Sequence, residues 1–253
     1  MKSKNSRAEP DGVQDDGAQG AADTAPEATA EMTEQRTSPG AERDDVPGAP
    51  SDDRLARARA LERAGDIRSA IELYRELARE DLGALEPRLA LGTIYERHGE
   101  HALALEQFEV VRELAPDNVD ALLGMAAALT ELKRYDLAEA ALRRALRLEP
   151  GRADVHASIG TLNYKRGLYG QAEQELKRAL DIDPAHAVAY FYRGECLNQL
   201  GRVDEALEML ERSVQLHPHN SRAFFTMGIL YDRKHLPQQA AAMYRKAREV
   251  TPA

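Results

Sequence analysis

The sequence predicts an all-α protein in which six antiparallel helix pairs stack into a solenoid behind a disordered N-terminal tail. Prolines recur every 34 residues, at Pro116, Pro150, Pro184, Pro218 and Pro252. Alanine stands 12 residues before each of these prolines, and glycine or alanine stands 24 residues before it. The segments between the prolines have the apolar spacing of amphipathic helices. A fixed period of this length is typical of repeat proteins built from stacked helix pairs.

The first 50 residues differ in composition from the rest of the chain. Residues 1–50 contain no Leu, Ile or aromatic residue, include five prolines, and carry 11 acidic and 5 basic side chains. A segment this poor in apolar residues buries too little surface to offset the entropy lost when its backbone is ordered. We therefore predict that it is disordered. It serves either as a solubilising extension or as a tether that competes for a basic surface.

The apolar runs of the chain are short. The longest spans nine residues, from Ala121 to Leu129, and no apolar region follows the basic N-terminus. A membrane-spanning helix needs about 20 apolar residues, and a secretory signal needs an apolar core. We therefore expect no membrane insertion and a cytoplasmic protein. The single cysteine, Cys196, excludes an internal disulfide and is expected to be a buried thiol that acts as a small hydrophobe.

The helix pairs are predicted from residue 51 onward, as a solenoid over residues 51–253. A small residue at repeat position 8 and alanine at position 20 are expected where the two helices of a pair cross, because larger side chains would push the axes apart. A large residue at position 24 is expected to fill the space against the next repeat. The repeats follow in strict phase as 51–84, 85–118, 119–152, 153–186, 187–220 and 221–253.

The turn between the two helices of a pair has its own signature. Glycine stands there in four repeats, and glycine adopts a left-handed backbone at little cost. Lys133 and His235 replace glycine in the other two repeats. Those two turns are therefore expected to be strained or differently shaped.

This pattern resembles the tetratricopeptide repeat family, whose repeats carry a small residue at position 8, alanine at position 20 and proline at position 32. The resemblance implies a right-handed superhelix whose first helices line a concave face that holds a peptide or protein partner. Leu82 stands where the first repeat should carry proline, which is typical of an N-terminal repeat with one solvated face. The sixth repeat keeps the pattern with no covering helix after it. We expect its open face to meet another subunit or a partner.

Candidate partner-binding residues follow from positions 2, 5, 9, 12 and 13 of each repeat, which this family commonly directs into its groove. Phe191 and Phe225 share one repeat position and are either exposed anchors for a partner or core residues. The asparagines that two branches of the family use to bind a peptide carboxylate or to transfer a sugar are missing from positions 6 and 9. The resemblance points to a groove in the last three repeats lined by Tyr164, Lys165, Phe191, Glu195, Asn198, Arg222, Phe225 and Arg233.

Residue patterns that carry catalysis or ligand chemistry are missing from the sequence. There is no glycine-rich phosphate loop in a strand or helix context and no serine in a nucleophile elbow. His98 with His101, and His217 with His219, are expected to be turn residues rather than zinc ligands. Residues 51–253 hold 29 basic and 32 acidic side chains, so no basic stripe for nucleic acid is expected. We predict no catalytic residue, no metal and no cofactor.

Two functions remain open from the sequence. The first is a non-catalytic scaffold or adaptor that binds a peptide or protein segment in the concave groove of the superhelix. The alternative is a structural protein that forms homo-oligomers through the open face of its C-terminal repeat.

Overall fold

The computed structural model describes residues 51–251. The predicted disordered tail, residues 1–50, and the last proline of the series, Pro252, lie outside the described residues. Between residues 51 and 251 the chain forms twelve α-helices: α1 (Ser51–Ala64), α2 (Ile67–Glu80), α3 (Leu85–Arg97), α4 (His101–Leu114), α5 (Val119–Glu131), α6 (Tyr135–Leu148), α7 (Ala153–Lys165), α8 (Tyr169–Ile182), α9 (Ala187–Gln199), α10 (Val203–Leu216), α11 (Ser221–Arg233) and α12 (Pro237–Glu249).

The twelve helices form six consecutive pairs that stack into an all-helical superhelix, as predicted. Each odd-numbered helix, which we call the A helix of its repeat, packs on the even-numbered B helix that follows it. Each B helix in turn packs on the A helix of the next repeat. From α3 onward the A helices also contact one another in sequence, so they form one continuous inner layer. No helix between residues 51 and 251 is long and apolar enough to cross a membrane.

The helix ends are determined by local sequence. At four repeat boundaries a B helix ends two residues before one of the recurring prolines, because proline disfavours a helical residue before it and lacks an amide donor. Side chains cap three of the A helices that follow: the Asn118 Oδ1 accepts from the Ala121 amide at 2.8 Å, the His186 Nδ1 accepts from the Ala189 amide at 3.2 Å, and the Asn220 Oδ1 accepts from the Ala223 amide at 3.0 Å. Each bond satisfies an amide that has no partner inside the helix.

The inter-helix turns have the same left-handed backbone in all six repeats. The four turn glycines have φ between 77° and 84°, and Lys133 and His235 adopt φ of 60° and 58°. A side chain in this region places Cβ close to its own carbonyl oxygen. These two turns are thus strained rather than differently shaped.

The repeating small residues lie where the helices cross. The alanines at repeat position 20 are completely or almost completely buried in all six repeats. A Cβ placed on Gly160 would lie 2.5 Å from Leu176 Cγ and 3.2 Å from the Ala172 carbonyl oxygen. The helices of a pair are therefore as close as their smallest residues allow. The large residues at position 24 are buried in the first five repeats: Tyr74, Phe108, Leu142, Leu176 and Leu210.

Candidate functional site

The concave face of the superhelix is formed by the A helices, and it contains a hollow of about 680 Å³ between α3, α5 and α7. Its apolar floor includes Leu123, Gly124 and Ala127, and the ring of Phe108 lies beneath them. The residues that α3, α5 and α7 supply to its lining stand mainly at repeat positions 2, 5, 9 and 12, which the family resemblance assigns to the groove. Its polar rim consists of Glu86, Thr93, Glu96, Asp120, Arg152, Asp154 and Ser158.

The small residues of α5 create the space in this hollow. Phe108, at position 24 of the second repeat, lies between the backbones of α3 and α5. A Cβ on Gly92 would be 2.6 Å from its ring, and a Cβ on Gly124 would be 2.4 Å from it. The ring thus lies directly below the groove surface. Ala127, one turn further along α5, adds only a methyl group to the floor.

The rim of the hollow carries more carboxylates than cations. Four carboxylates line it against one guanidinium, that of Arg152. Arg152 donates to Asp120 at 2.6 Å and to Asp154 at 3.1 Å, so one guanidinium forms ion pairs with two carboxylates on neighbouring A helices. Burial raises the pKa of Glu96 above its ordinary value, and the nearby Glu131 carboxylate adds to the rise. The hollow therefore offers apolar surface with excess negative charge around it.

Most of the eight predicted groove residues contact one another in pairs across consecutive repeats. The Tyr164 hydroxyl donates to Glu195 Oε2 at 3.1 Å, and Arg233 donates to Asn198 Oδ1 at 2.7 Å. The guanidinium of Arg222 lies 5.1 Å from the centre of the Phe191 ring. Outside these pairs, Lys165 forms an ion pair with Glu131 at 2.7 Å. The surface over α7, α9 and α11 is therefore preorganised by its own contacts.

Phe191 and Phe225 differ in exposure although they share one repeat position. Phe191 is only 5 % exposed, whereas Phe225 is 54 % exposed. Phe191 packs with Leu207, Leu210 and Phe224 in an apolar cluster. Of the two alternatives, the core position therefore applies to Phe191, because α11 of the following repeat covers it. Phe225 has no such helix above it within the described residues.

Glu195 is also more deeply placed than a groove residue would be. It is 8 % exposed, and its Oε1 atom receives no hydrogen bond from residues 51–251. Burial, followed by the Glu195 charge, raises the pKa of the Tyr164 hydroxyl, so that hydroxyl stays a donor to Glu195. An unpaired buried acceptor costs about 1–3 kcal/mol. A donor group that reaches Oε1 would remove this cost.

The hollow over α5 was missed by sequence reasoning, which assigned the groove to the aromatic-rich last repeats. The signal was present as Gly124 and Ala127, which stand at repeat positions 6 and 9. Small residues at positions that point into a groove indicate depth, whereas large side chains at such positions indicate contacts. Over residues 51–251, no group of three or more His, Cys, Asp or Glu side chains is arranged to hold a metal ion.

Comparison with known structures finds the same architecture in several proteins. A tetratricopeptide repeat protein from Parabacteroides merdae ATCC 43184 superposes with a TM-score of 0.70 at 17 % identity over 82 % of both chains. A chain of the APC/C hetero-tetramer Cut9–Hcn1 superposes with a TM-score of 0.74 at 15 % identity, and the match covers 80 % of this chain and 40 % of that one. A thermophilic repeat protein from Thermus thermophilus superposes with a TM-score of 0.61 at 21 % identity. The match covers 69 % of this chain and 95 % of that one. At these identities the similarity shows the fold alone.

Sequence comparison assigns the family. Among curated proteins, the chain is 35 % identical over 100 residues to "Protein CTR9 homolog" from Arabidopsis thaliana. That match takes 39 % of this chain and 9 % of the relative, so the chain spans less than a tenth of its length. Two family models described as tetratricopeptide repeat match residues 55–119, and residues 97–161 with 164–224, together about two thirds of the chain. With its twelve paired helices, the chain belongs to the tetratricopeptide repeat family.

Proposed function

We propose that this protein is a non-catalytic scaffold or adaptor that binds a peptide or protein segment in the concave groove of its superhelix. The observation that supports this most directly is the hollow of about 680 Å³ between α3, α5 and α7. A groove with an apolar floor and a few polar groups at its rim is the usual form of a recognition site. Proteins of this family are typically non-catalytic. The cytoplasmic location stays a prediction.

The proposed segment lies along the inner layer of A helices and continues from the hollow toward the last repeats. There it would meet the accessible groups of Tyr164, Lys165 and Asn198. Arg222 and Arg233 would lie further along, with Phe191 and Glu195 beneath them. Phe225 would lie at the far end. The binding role of these eight residues stays a prediction.

The experiment selects short peptides on the intact protein from a display library and tests them on two variants. Ala127→Lys places a long side chain across the floor of the hollow, where Ala127 is partly exposed. Ala140→Lys makes the same change at an exposed position on α6, the B helix of the same repeat. We expect Ala127→Lys to weaken the selected peptides roughly tenfold or more, because it removes the space that an anchor side chain would fill. Ala140→Lys should leave the affinity unchanged.

Equal affinities for both variants would contradict a groove at α5. A second pair, Lys165→Ala and Asn198→Ala, tests whether the segment continues into the last repeats.

The alternative function, self-assembly through the C-terminal repeat, stays a prediction. Molar mass measured by light scattering over a concentration series separates it from the scaffold function, since only self-assembly makes the mass rise with concentration.

A further inference from the structure

A second hollow, of about 760 Å³, lies between α11 and α12 in the last repeat, and we call it the end hollow. Its apolar walls are Phe225, Tyr244 and Ala247, and the first two rings lie 5.5 Å apart. Arg222 and Arg248 also line it. None of its lining residues belongs to the hollow over α5, and two of them, Arg222 and Phe225, also stand at the far end of the proposed groove.

The earlier repeats indicate the shape of what fits this hollow. In each of them the corresponding face is covered by the A helix of the next repeat, and each of those A helices has 13 residues. That packing buries the large residue at position 24, whereas Tyr244 remains partly exposed. It also explains why Phe191 is buried and Phe225 is not. The end hollow therefore has the form of a seat for one more α-helix.

Two of the A helices, α5 and α11, share an apolar pattern along the side that packs in this way. In α5 the stripe consists of Ala121, Leu122, Met125 and Leu129, all buried. In α11 it consists of Ala223, Phe224, Met227 and Tyr231, at the same spacing of 0, +1, +4 and +8. A small residue followed by three larger apolar ones is thus one pattern that this type of face accepts, whereas α3, α7 and α9 place Arg88, His156 and Arg193 among these positions.

The charge around the end hollow indicates the polar side of its occupant. Residues 221–251 carry six basic and two acidic side chains. One of the two acids, Asp232, accepts a hydrogen bond from the Tyr244 hydroxyl at 2.8 Å. Arg245, Arg248 and Lys246 stand on exposed positions of α12. An occupant with carboxylates beside its apolar stripe would complement this surface.

The same charges argue against the folded repeats of a second copy as the occupant. Two end hollows facing each other would bring two basic surfaces together, and like charges across an interface repel each other. The helix at the opposite end of the solenoid, α1, carries four arginines against three carboxylates. It is therefore also slightly basic and does not complement the end hollow.

We propose that the end hollow binds an acidic amphipathic α-helix of a partner protein. The helix presents an apolar stripe of the 0, +1, +4, +8 pattern to Phe225 and Tyr244 and places carboxylates near Arg222 and Arg248. It occupies the position that the next A helix holds on every earlier repeat. This is the helix-in-groove mode of recognition, in which a few apolar anchors on one face supply most of the affinity.

The test uses a synthetic helix of about 16 residues, close to the shortest length that is helical in isolation. It carries the α5 stripe, Ala, Leu, Met and Leu at the stated spacing, with four glutamates beside the stripe and glutamine at its other positions, because like charges throughout would unfold the helix. A second peptide has lysines in place of the glutamates, and a third has the stripe scrambled. Fluorescence anisotropy measures their binding to the full chain, to Phe225→Ala and to Arg248→Glu. Arg245→Glu is the matched control, because it makes the same charge change on α12 outside the hollow.

We expect only the acidic, ordered-stripe peptide to bind. Phe225→Ala and Arg248→Glu should each weaken it roughly tenfold, as the loss of an anchor does. Arg245→Glu should change the affinity much less. Because Phe225 and Arg248 are exposed, helicity and thermal melting should stay unchanged in both variants.

Failure of the acidic peptide to bind, equal binding of the lysine peptide, or equal effects of Arg245→Glu and Arg248→Glu would each overturn the proposal. Concentration-dependent self-association that Phe225→Ala abolishes would instead identify a second copy as the occupant. The groove experiment with Ala127→Lys is independent of all these outcomes.

Discussion

Replacing Gly124 by alanine is expected to destabilise the solenoid, although alanine is normally the better residue inside a helix. The reason lies in the Phe108 ring. An alanine Cβ at position 124 would lie 2.4 Å from the Cζ of Phe108, far inside van der Waals contact. On its other side the ring already faces the backbone of Gly92, where a Cβ would lie 2.6 Å away. The ring is therefore blocked toward both glycine backbones.

The magnitude follows from two opposing terms. Helix propensity favours alanine over glycine by about 1 kcal/mol. Overpacking a well-filled site costs roughly 1–3 kcal/mol, and the upper half of this range applies because both sides of the ring are blocked. We expect the free energy of unfolding to fall by about 1–2 kcal/mol. For a chain of this size, 1 kcal/mol corresponds to about 2–4 °C in melting temperature.

The assay is urea denaturation followed by circular dichroism, applied to a double-mutant cycle with Phe108→Leu. The smaller leucine leaves room for the new methyl group, so Gly124→Ala should be neutral or stabilising in that background. The coupling between the two changes should be about 1–2 kcal/mol. Gly170→Ala is the control, because a Cβ there meets nothing within 4 Å. Three other repeats carry leucine at the position of Phe108: Leu142, Leu176 and Leu210.

Two results would refute this reasoning. The first is that Gly124→Ala stabilises the protein as Gly170→Ala is expected to do. The second is that its cost is the same in the Phe108→Leu background. Either would mean that the ring does not limit the approach of α5 to its neighbours.

Two further predictions concern a turn and the buried thiol. Lys133→Gly should raise the free energy of unfolding in urea by about 1 kcal/mol, because it removes a non-glycine residue from a left-handed backbone at φ 60°. Gly99→Ala, in the equivalent turn, should lower it, and a loss on Lys133→Gly would contradict the strain. Burial, and after it the charges of Glu173 and Glu195, raises the pKa of the Cys196 thiol to about 12. Thiol alkylation at pH 8 should therefore follow unfolding, and rapid labelling of the native protein would contradict the burial.

The repeats were predictable because the interactions that form them are local. The spacing of apolar residues defines each helix, proline ends it, and glycine allows the turn. Lys133 and His235 show the limit of this reasoning at the turns. Their identity indicated either strain or a different shape, and only the backbone shows which one occurs.

The candidate site was less predictable, because exposure depends on what lies above a residue. Phe191 and Phe225 have the same repeat position, yet α11 covers only the first. Glu195 has the sequence position of a groove residue, but its carboxylate is buried beside Tyr164. The hollow over α5 arises from side chains that are small, and a search for large contacting residues passes over Gly124.

By itself the sequence determined the number of repeats, the helix pairs and the places where they cross, because a solenoid repeat interacts mainly with itself and its immediate neighbours. The tertiary structure decided which equivalent positions are accessible and where the surface is hollow. Those properties arise between helices of successive repeats, where one side chain covers or exposes another. The same repeat pattern therefore produces a packed interface at Phe191 and an open one at Phe225.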